Sequence, residues 1–165
     1  MSKFGPQLND EITGQSGYTH RFDLYHSDLT QTTANTAQTF TAFLPVRAGD
    51  KIEKVCVMLA EPFQNTADTA FNDTQIEVGD SGDLDNFIVA IQANYNGTLG
   101  TFPAENTGDA LPYTIPATPL AIDVTVLSMS GKSLSNLNKG HLVVLFAIFR
   151  ETQADLLAPT GNEKG

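Results

Sequence analysis

The chain has 165 residues and a formal net charge of −10, from nine basic and nineteen acidic side chains. This length suits one domain, and a hydrophobic fraction of 41% supplies material for a core. The negative charge disfavours nucleic acid and anionic membranes as partners, because both are negatively charged themselves. No apolar run reaches the roughly 18 residues that a membrane-spanning helix requires. The first ten residues lack the apolar core of a secretory signal, so we expect synthesis and residence in a cytoplasm.

Residues 1–17 form a polar segment rich in Gly, Pro, Asn, Asp and Gln. Such a segment is too short and too polar to build its own core. It is either a frayed terminus or, within an assembly, an arm that becomes ordered on a neighbouring subunit. We predict the arm, with Phe4, Pro6, Leu8 and Ile12 as its assembly contacts. Deleting residues 1–16 should then leave the fold intact and weaken assembly.

The next segments alternate between polar and apolar residues, as half-buried strands do. In residues 17–26, the side chains of Tyr18, His20, Phe22, Leu24 and His26 are predicted to share one face. Residues 37–46 and 51–60 are predicted to be strands that pair with each other around a Gly-Asp turn. A long polar connection over residues 61–72 is expected to follow.

The second half of the chain continues the same pattern. We predict a short strand beginning near residue 73, an acidic turn, and then an element over 83–92 that fits either a strand or a helix. Further strands are predicted at 113–115 and 120–129. Residues 141–149 form a continuous apolar run, which is typical of a strand covered on both faces.

Seven or eight strands with a few long connections indicate an all-β protein. The uneven spacing favours an antiparallel β-sandwich of the jelly-roll or Greek-key type over a tight-turned barrel. We therefore predict an N-terminal arm (1–17), a β-sandwich domain of about eight strands (18–150) and a polar C-terminal tail (151–165).

The residue types that carry chemistry are few and scattered. Cys56, the single cysteine, lies between two valines on an apolar strand, so we expect a buried structural thiol. His20 and His26 lie about 20 Å apart in an extended strand, too far to bind one metal ion, and His141 is remote in sequence. We expect no catalytic residues, no metal site and no cofactor, and hence no enzyme.

One acidic turn is the strongest cation candidate. Asp80, Asp83 and Asp85 lie close together in a glycine-containing loop, and calcium is often bound by acidic residues of one loop. The EF-hand pattern, however, requires Glu at its twelfth position, where this chain has Ile91. A solvated acidic turn is therefore favoured, and a weak cation site is the alternative.

Three segments resemble small phage virion proteins of the head decoration, or cement, type. These are residues 43–55 (FLPVRAGDKIEKV), residues 76–88 (IEVGDSGDLDNFI) and the closing strand at residues 140–149 (GHLVVLFAIF). The resemblance covers roughly residues 37–149. It implies a jelly-roll subunit on the exterior of a phage capsid, bound to the major capsid protein and assembled as a homo-oligomer, either a dimer or a trimer.

We therefore predict a structural virion protein that decorates or cements the outer surface of a phage capsid through protein–protein contacts. The alternative is a receptor- or carbohydrate-binding module of a phage fibre or tail, with Tyr95, Phe102 and Tyr113 as exposed aromatic contacts. A jelly-roll enzyme with an unrecognised metal site is the third possibility.

Overall fold

A computed structural model describes residues 17–41, 46–93, 100–102, 111–117, 121–127 and 131–150. These residues form nine strands: β1 (His20–Tyr25), β2 (Gln38–Phe40), β3 (Lys51–Gln64), β4 (Gln75–Asp80), β5 (Asp83–Gln92), β6 (Gly100–Phe102), β7 (Tyr113–Thr114), β8 (Ile122–Leu127) and β9 (Lys139–Phe149). Short 3₁₀ helices occupy His26–Asp28, Thr69–Asp73 and Leu134–Asn136. Except for Gly17, the predicted arm and tail lie outside the described residues.

The strands form two antiparallel sheets. The first sheet has the order β1-β9-β3-β6, with the short β7 also paired to β3, and the second has the order β2-β8-β4-β5. The prediction of an all-β sandwich is therefore confirmed. None of the helices in the described part of the chain is long and apolar enough to cross a membrane.

The strand pairing is nested from the outside of the chain inwards. β1 pairs with β9, β2 with β8, β3 with β6, and β4 with β5. Two further pairings, β3 with β9 and β4 with β8, join these four pairs into the two sheets. The chain thus behaves as one long hairpin that is folded over on itself.

The core lies between the sheets and follows from the alternation of each strand. On β9, the inward side chains Leu142, Val144, Phe146 and Ile148 belong to the main core cluster. The residues between them are also buried, which confirms the prediction of a strand covered on both faces. From β3 and the second sheet, the core receives Ile52, Val55, Val57, Leu59, Phe63, Ile76, Val78, Phe87, Ile88, Ile122, Val124 and Val126.

The predicted pairing of residues 37–46 with residues 51–60 is wrong. The strand β2 pairs with β8 in the second sheet, whereas β3 pairs with β9, β6 and β7 in the first. The turn itself is present, since the Asp50 N–H donates to the Arg47 carbonyl and Gly49 has a positive φ of 87°. The chain passes from one sheet to the other here instead of forming a hairpin.

Three further predictions are corrected or resolved. The segment 83–92 is a strand, not a helix. β3 continues to Gln64, so the predicted polar connection at 61–72 begins as strand. Phe22 and Leu24 point into the core as predicted, but His26 lies in a 3₁₀ helix, and Tyr18 packs on the opposite face of the sheet.

Candidate docking surface on the first sheet

The outer face of the first sheet carries a second apolar cluster. Cys56, Val143 and Leu145 are 3–6% exposed, and Met58 packs against them. We call these four residues the outer strip. They cannot be covered by the second sheet, because that sheet packs on the opposite face.

The outer strip follows from the sequence of the two central strands. Apolar residues occupy consecutive positions on β9 and in the middle of β3, so both faces of each strand become apolar. The register places Cys56 opposite Leu145 and Met58 opposite Val143. The four side chains therefore form one continuous strip along the centre of the sheet.

The start of the described chain lies on this same face. Tyr18 packs against the outer strip. Its neighbour Thr19 is fixed to β9, where its Oγ1 accepts from the Ile148 N–H at 2.9 Å and its N–H donates to the Phe146 carbonyl at 2.8 Å. The chain therefore leaves β1 at Thr19 and turns onto the outer face.

A charged network borders the outer strip on the β1 side. The guanidinium of Arg21 donates two hydrogen bonds of 2.7 Å to the carboxylate of Asp23. His141 Nε2 lies 2.8 Å from Asp23 Oδ1, and the ring of Tyr25, which is 45% exposed, stacks on the His141 ring at 4.3 Å. An apolar centre beside a polar rim is the usual composition of a protein–protein interface.

The network stabilises the charged form of Asp23. Partial burial alone would raise the pKa of this carboxyl, but the hydrogen bonds from Arg21 and His141 outweigh it and hold the pKa below its usual value. Asp23 thus stabilises the fold above its unfolded-state pKa. That contribution is lost as the pH falls through the lower folded-state pKa.

Cys56 is buried, as the sequence predicts, but it lies on the outer face and not between the sheets. Burial raises the pKa of the Cys56 thiol, and a hydrogen bond with Tyr18 partly offsets this effect. Since the thiolate is the reactive form, the thiol is held in its unreactive state.

The acidic turn is organised around one buried carboxylate. Asp80, which is 2% exposed, accepts hydrogen bonds from the N–H groups of Gly82 and Asp83 at 2.7 and 3.0 Å. It also accepts from Asn86 Nδ2 at 3.0 Å and from the Tyr113 hydroxyl at 3.3 Å. Asp80 therefore fixes the β4–β5 turn and attaches β7 to it.

The other acidic residues of this turn repel one another. The pKa of Asp83 is raised, chiefly by a hydrogen bond with Asp85. The pKa of Glu77 is raised by partial burial and then by the charges of Asp85 and Asp83. Among the residues that the structure describes, no group of three or more His, Cys, Asp or Glu side chains is placed to hold a metal ion.

We predict that Asp85→Asn stabilises the protein at neutral pH. In the folded protein, the pKa values of Asp83 and Glu77 lie above their ordinary values. Their contribution to the free energy of unfolding is therefore complete below the ordinary pKa and is lost as the pH rises through the raised pKa. The variant removes one of the repelling charges. Thermal melts at pH 3 and pH 7 should show a higher melting temperature for the variant at pH 7 and little difference at pH 3. An equal shift at both pH values would contradict the prediction.

The aromatic residues of the carbohydrate-binding alternative fall into two groups. Tyr95 lies outside the described residues, as does the side chain of Phe102. Tyr113 is not an exposed contact as predicted, because its partly buried ring packs edge-to-face on Phe87 at 5.4 Å. The interaction of its hydroxyl with Asp80 gives it a structural role.

The predicted assembly contacts Phe4, Pro6, Leu8 and Ile12 lie outside the described residues, so they stay predictions. Sequence reasoning did not identify the outer strip, although a signal was present: the apolar run of β9 requires cover on both faces. Of the histidines, His141 belongs to the charged network, and burial lowers the pKa of the half-buried His20.

Comparison of the chain with protein-family models, with curated proteins and with solved structures gave no match.

Proposed function

We propose that this protein is a structural virion protein that decorates or cements the outer surface of a phage capsid. It acts through protein–protein contacts with the major capsid protein and assembles as a dimer or trimer. The observation that carries the proposal is the first sheet with two apolar faces. One face builds the core, and the other carries the outer strip, which is bordered by a charged rim with the exposed ring of Tyr25.

The nested strand pairing supports a jelly-roll form of the sandwich. A jelly roll consists of two four-stranded sheets made from Greek-key connections, as if one long hairpin were rolled up. The orders β1-β9-β3-β6 and β2-β8-β4-β5 fit this description, with β7 as a short addition at the edge of the first sheet.

The charge of the chain supports a place on the exterior of a filled capsid. A net charge of −10 repels the packaged nucleic acid and keeps the subunit away from the interior surface. A subunit on the outside that contacts several capsid proteins stabilises the shell by the area it buries, typically about 1,200–2,000 Å² per specific interface.

The test is binding to expanded capsids assembled from the major capsid protein of the same genome. Purified protein should co-sediment with these capsids and raise their melting temperature, and sedimentation equilibrium should give a dimer or trimer in solution. Failure to bind the capsids, or binding to nucleic acid only, would overturn the proposal.

We predict that deleting residues 1–8, which removes Phe4, Pro6 and Leu8, weakens capsid binding at least about 100-fold. Burying one Phe and one Leu contributes roughly 3 kcal/mol together at the lower bound, and 1.4 kcal/mol corresponds to a factor of ten. Circular dichroism should remain that of the folded protein. As a control, a variant with residues 1–3 deleted should bind as the full chain does. Unchanged binding after removal of residues 1–8 would show that the arm does not contact the capsid.

A further inference from the structure

Strand β1 lies at an edge of the first sheet. Among the strands that the structure describes, it pairs with β9 on one side and with none on the other. An edge strand directs backbone N–H and C=O groups outwards, where a strand of another chain can form hydrogen bonds with them. The six residues of β1 (His20–Tyr25) include no proline, a residue that often protects a sheet edge from such pairing.

The alternation of the backbone identifies the residues whose polar groups point outwards. The N–H of Tyr25 donates to the carboxylate of Asp28, beyond the end of β1, at 2.9 Å. In an antiparallel pair, the backbone groups of every second residue face the partner strand, and those of the residues between face away. The N–H and C=O groups of Arg21 and Asp23 therefore point away from β9, in the same direction as the N–H of Tyr25.

The residue before β1 does not follow this alternation. The N–H of Thr19 donates to the carbonyl of Phe146 at 2.8 Å, although Phe146 is the register partner of His20. Two residues of one strand thus lie opposite one residue of the other, which is the pattern of a β-bulge. The regular alternation consequently starts at His20, whose backbone faces β9.

The order of the charges makes this edge complementary to itself. Two copies of β1 that pair antiparallel about a twofold axis must place outward-pointing residues opposite each other. With the axis at Phe22, Arg21 of each copy lies opposite Asp23 of the other. An axis at Arg21 or at Asp23 would place like charges opposite each other, which destabilises a sheet. The charges therefore select the register centred on Phe22.

The side chains of Arg21 and Asp23 are able to pair within one chain and across the axis at the same time. Arg21 donates to Asp23 of its own chain through Nε and Nη2. A guanidinium has five N–H donors, so Nη1 is available for the carboxylate of the second copy. The two side chains are 32% and 26% exposed, and both therefore reach the surface at the edge of the sheet.

The edge of the second sheet lacks this complementarity. Its outer strand, β5, pairs with β4 in a register that is interrupted between Val78 and Asp80. The charged residues of β5 are Asp83 and Asp85, and both are acidic. Two copies of β5 would therefore repel each other, and β1 is the edge that favours a second copy of the chain.

We propose that two copies of this protein pair through β1 about a twofold axis at Phe22, so that their first sheets join into one continuous sheet. In each of the two Arg21–Asp23 pairs, the residues exchange both backbone hydrogen bonds, and the side chains form one cluster of alternating charges. This interface narrows the oligomer of the proposed function to a dimer. The inference rests on the proposed function only for the need to oligomerise. Its test uses isolated protein, so its failure is distinct from a failure to bind capsids.

Sedimentation equilibrium of the isolated protein measures the dimer. We predict that Asp23→Arg weakens dimerisation by at least about tenfold, because it places two positive side chains opposite each other in each pair. The double variant Arg21→Asp with Asp23→Arg exchanges the charges and should restore the native dissociation constant. The matched control is Glu53→Arg, which changes the net charge equally at an exposed site of β3 and should leave the dimer unchanged.

Amide hydrogen exchange of the native protein provides a second test that needs no variant. The N–H groups of Arg21 and Asp23 should be protected in the dimer and should lose this protection when the protein is diluted to the monomer. The N–H of Leu24, which faces β9, should stay protected in both states. Rapid exchange of Arg21 and Asp23 in the dimer would contradict the proposal.

The other outcomes also decide the matter. A monomer at every concentration, or a trimer, would exclude a twofold pair of edges. A native dissociation constant in Asp23→Arg would place the interface elsewhere, and a loss that the double variant does not reverse would overturn the register. A monomer whose capsid binding is abolished by Asp23→Arg would assign the edge to a strand of the capsid protein. Circular dichroism verifies folding, and hydrogen exchange provides the test if Asp23→Arg does not fold.

Discussion

Replacing Asp80 with alanine is expected to lower the free energy of unfolding by about 3–5 kcal/mol, because the substitution breaks a buried network. Two N–H groups of the β4–β5 turn, the amide of Asn86 and the hydroxyl of Tyr113 all lose their acceptor. A buried donor without a partner costs about 1–3 kcal/mol. Urea unfolding followed by circular dichroism measures the change.

Two variants calibrate this result. Asp80→Asn keeps one acceptor oxygen and should lose less stability than Asp80→Ala. Glu53→Ala removes an exposed carboxylate from β3 and should change the stability little. If the Asp80→Ala and Glu53→Ala variants were equally stable, the hydrogen bonds to Asp80 would not stabilise the fold as we predict.

Gly140→Ala is the second substitution with a large expected effect. Gly140, the second residue of β9, has a φ of 143°, which L-residues rarely adopt, and an added Cβ would lie 2.6 Å from Cγ of Phe63. Phe63 is fully buried and cannot move away without displacing the core. Backbone strain and overpacking together should lower the free energy of unfolding by about 3–5 kcal/mol.

Gly131→Ala is the matched control for the steric part of this effect. Gly131 also has a positive φ, of 72°, but an added Cβ would meet no atom within 4 Å. The control should therefore show the backbone strain alone, about 1–2 kcal/mol. Thermal unfolding of the two variants measures the difference, and an equal loss of stability would show that the ring of Phe63 imposes no restriction.

The sequence predicted the class of fold because the relevant signal is local. The continuous apolar run of β9 and the alternation in β1 each identify a strand within fewer than a dozen residues. Which strands pair with each other, however, depends on contacts between distant parts of the chain. Residues 37–46 and 51–60 flank a Gly-Asp turn, which is the usual local sign of a hairpin, yet β2 and β3 belong to different sheets.

The candidate surface was predictable only in part, for the same reason. The N-terminal arm stays a prediction from composition, whereas the contact of Tyr18 with the outer strip joins parts of the chain far apart in sequence and could not be predicted from local pattern. Asp80 and Tyr113 illustrate the same point. They are 33 residues apart, and their hydrogen bond gives a structural role to two residues that the sequence offered as a cation ligand and a glycan contact.

The pairing of β1 with β9 governs when this protein can fold. Thr19 and Phe146 bond across 127 residues of chain, and His141 reaches Asp23 across 118. The ribosome must therefore release the chain to at least residue 146 before β1 can pair with β9. Until then β1 and β3 lack β9 as their partner, and we expect a topology dominated by such distant contacts to fold slowly and to expose unpaired strand edges.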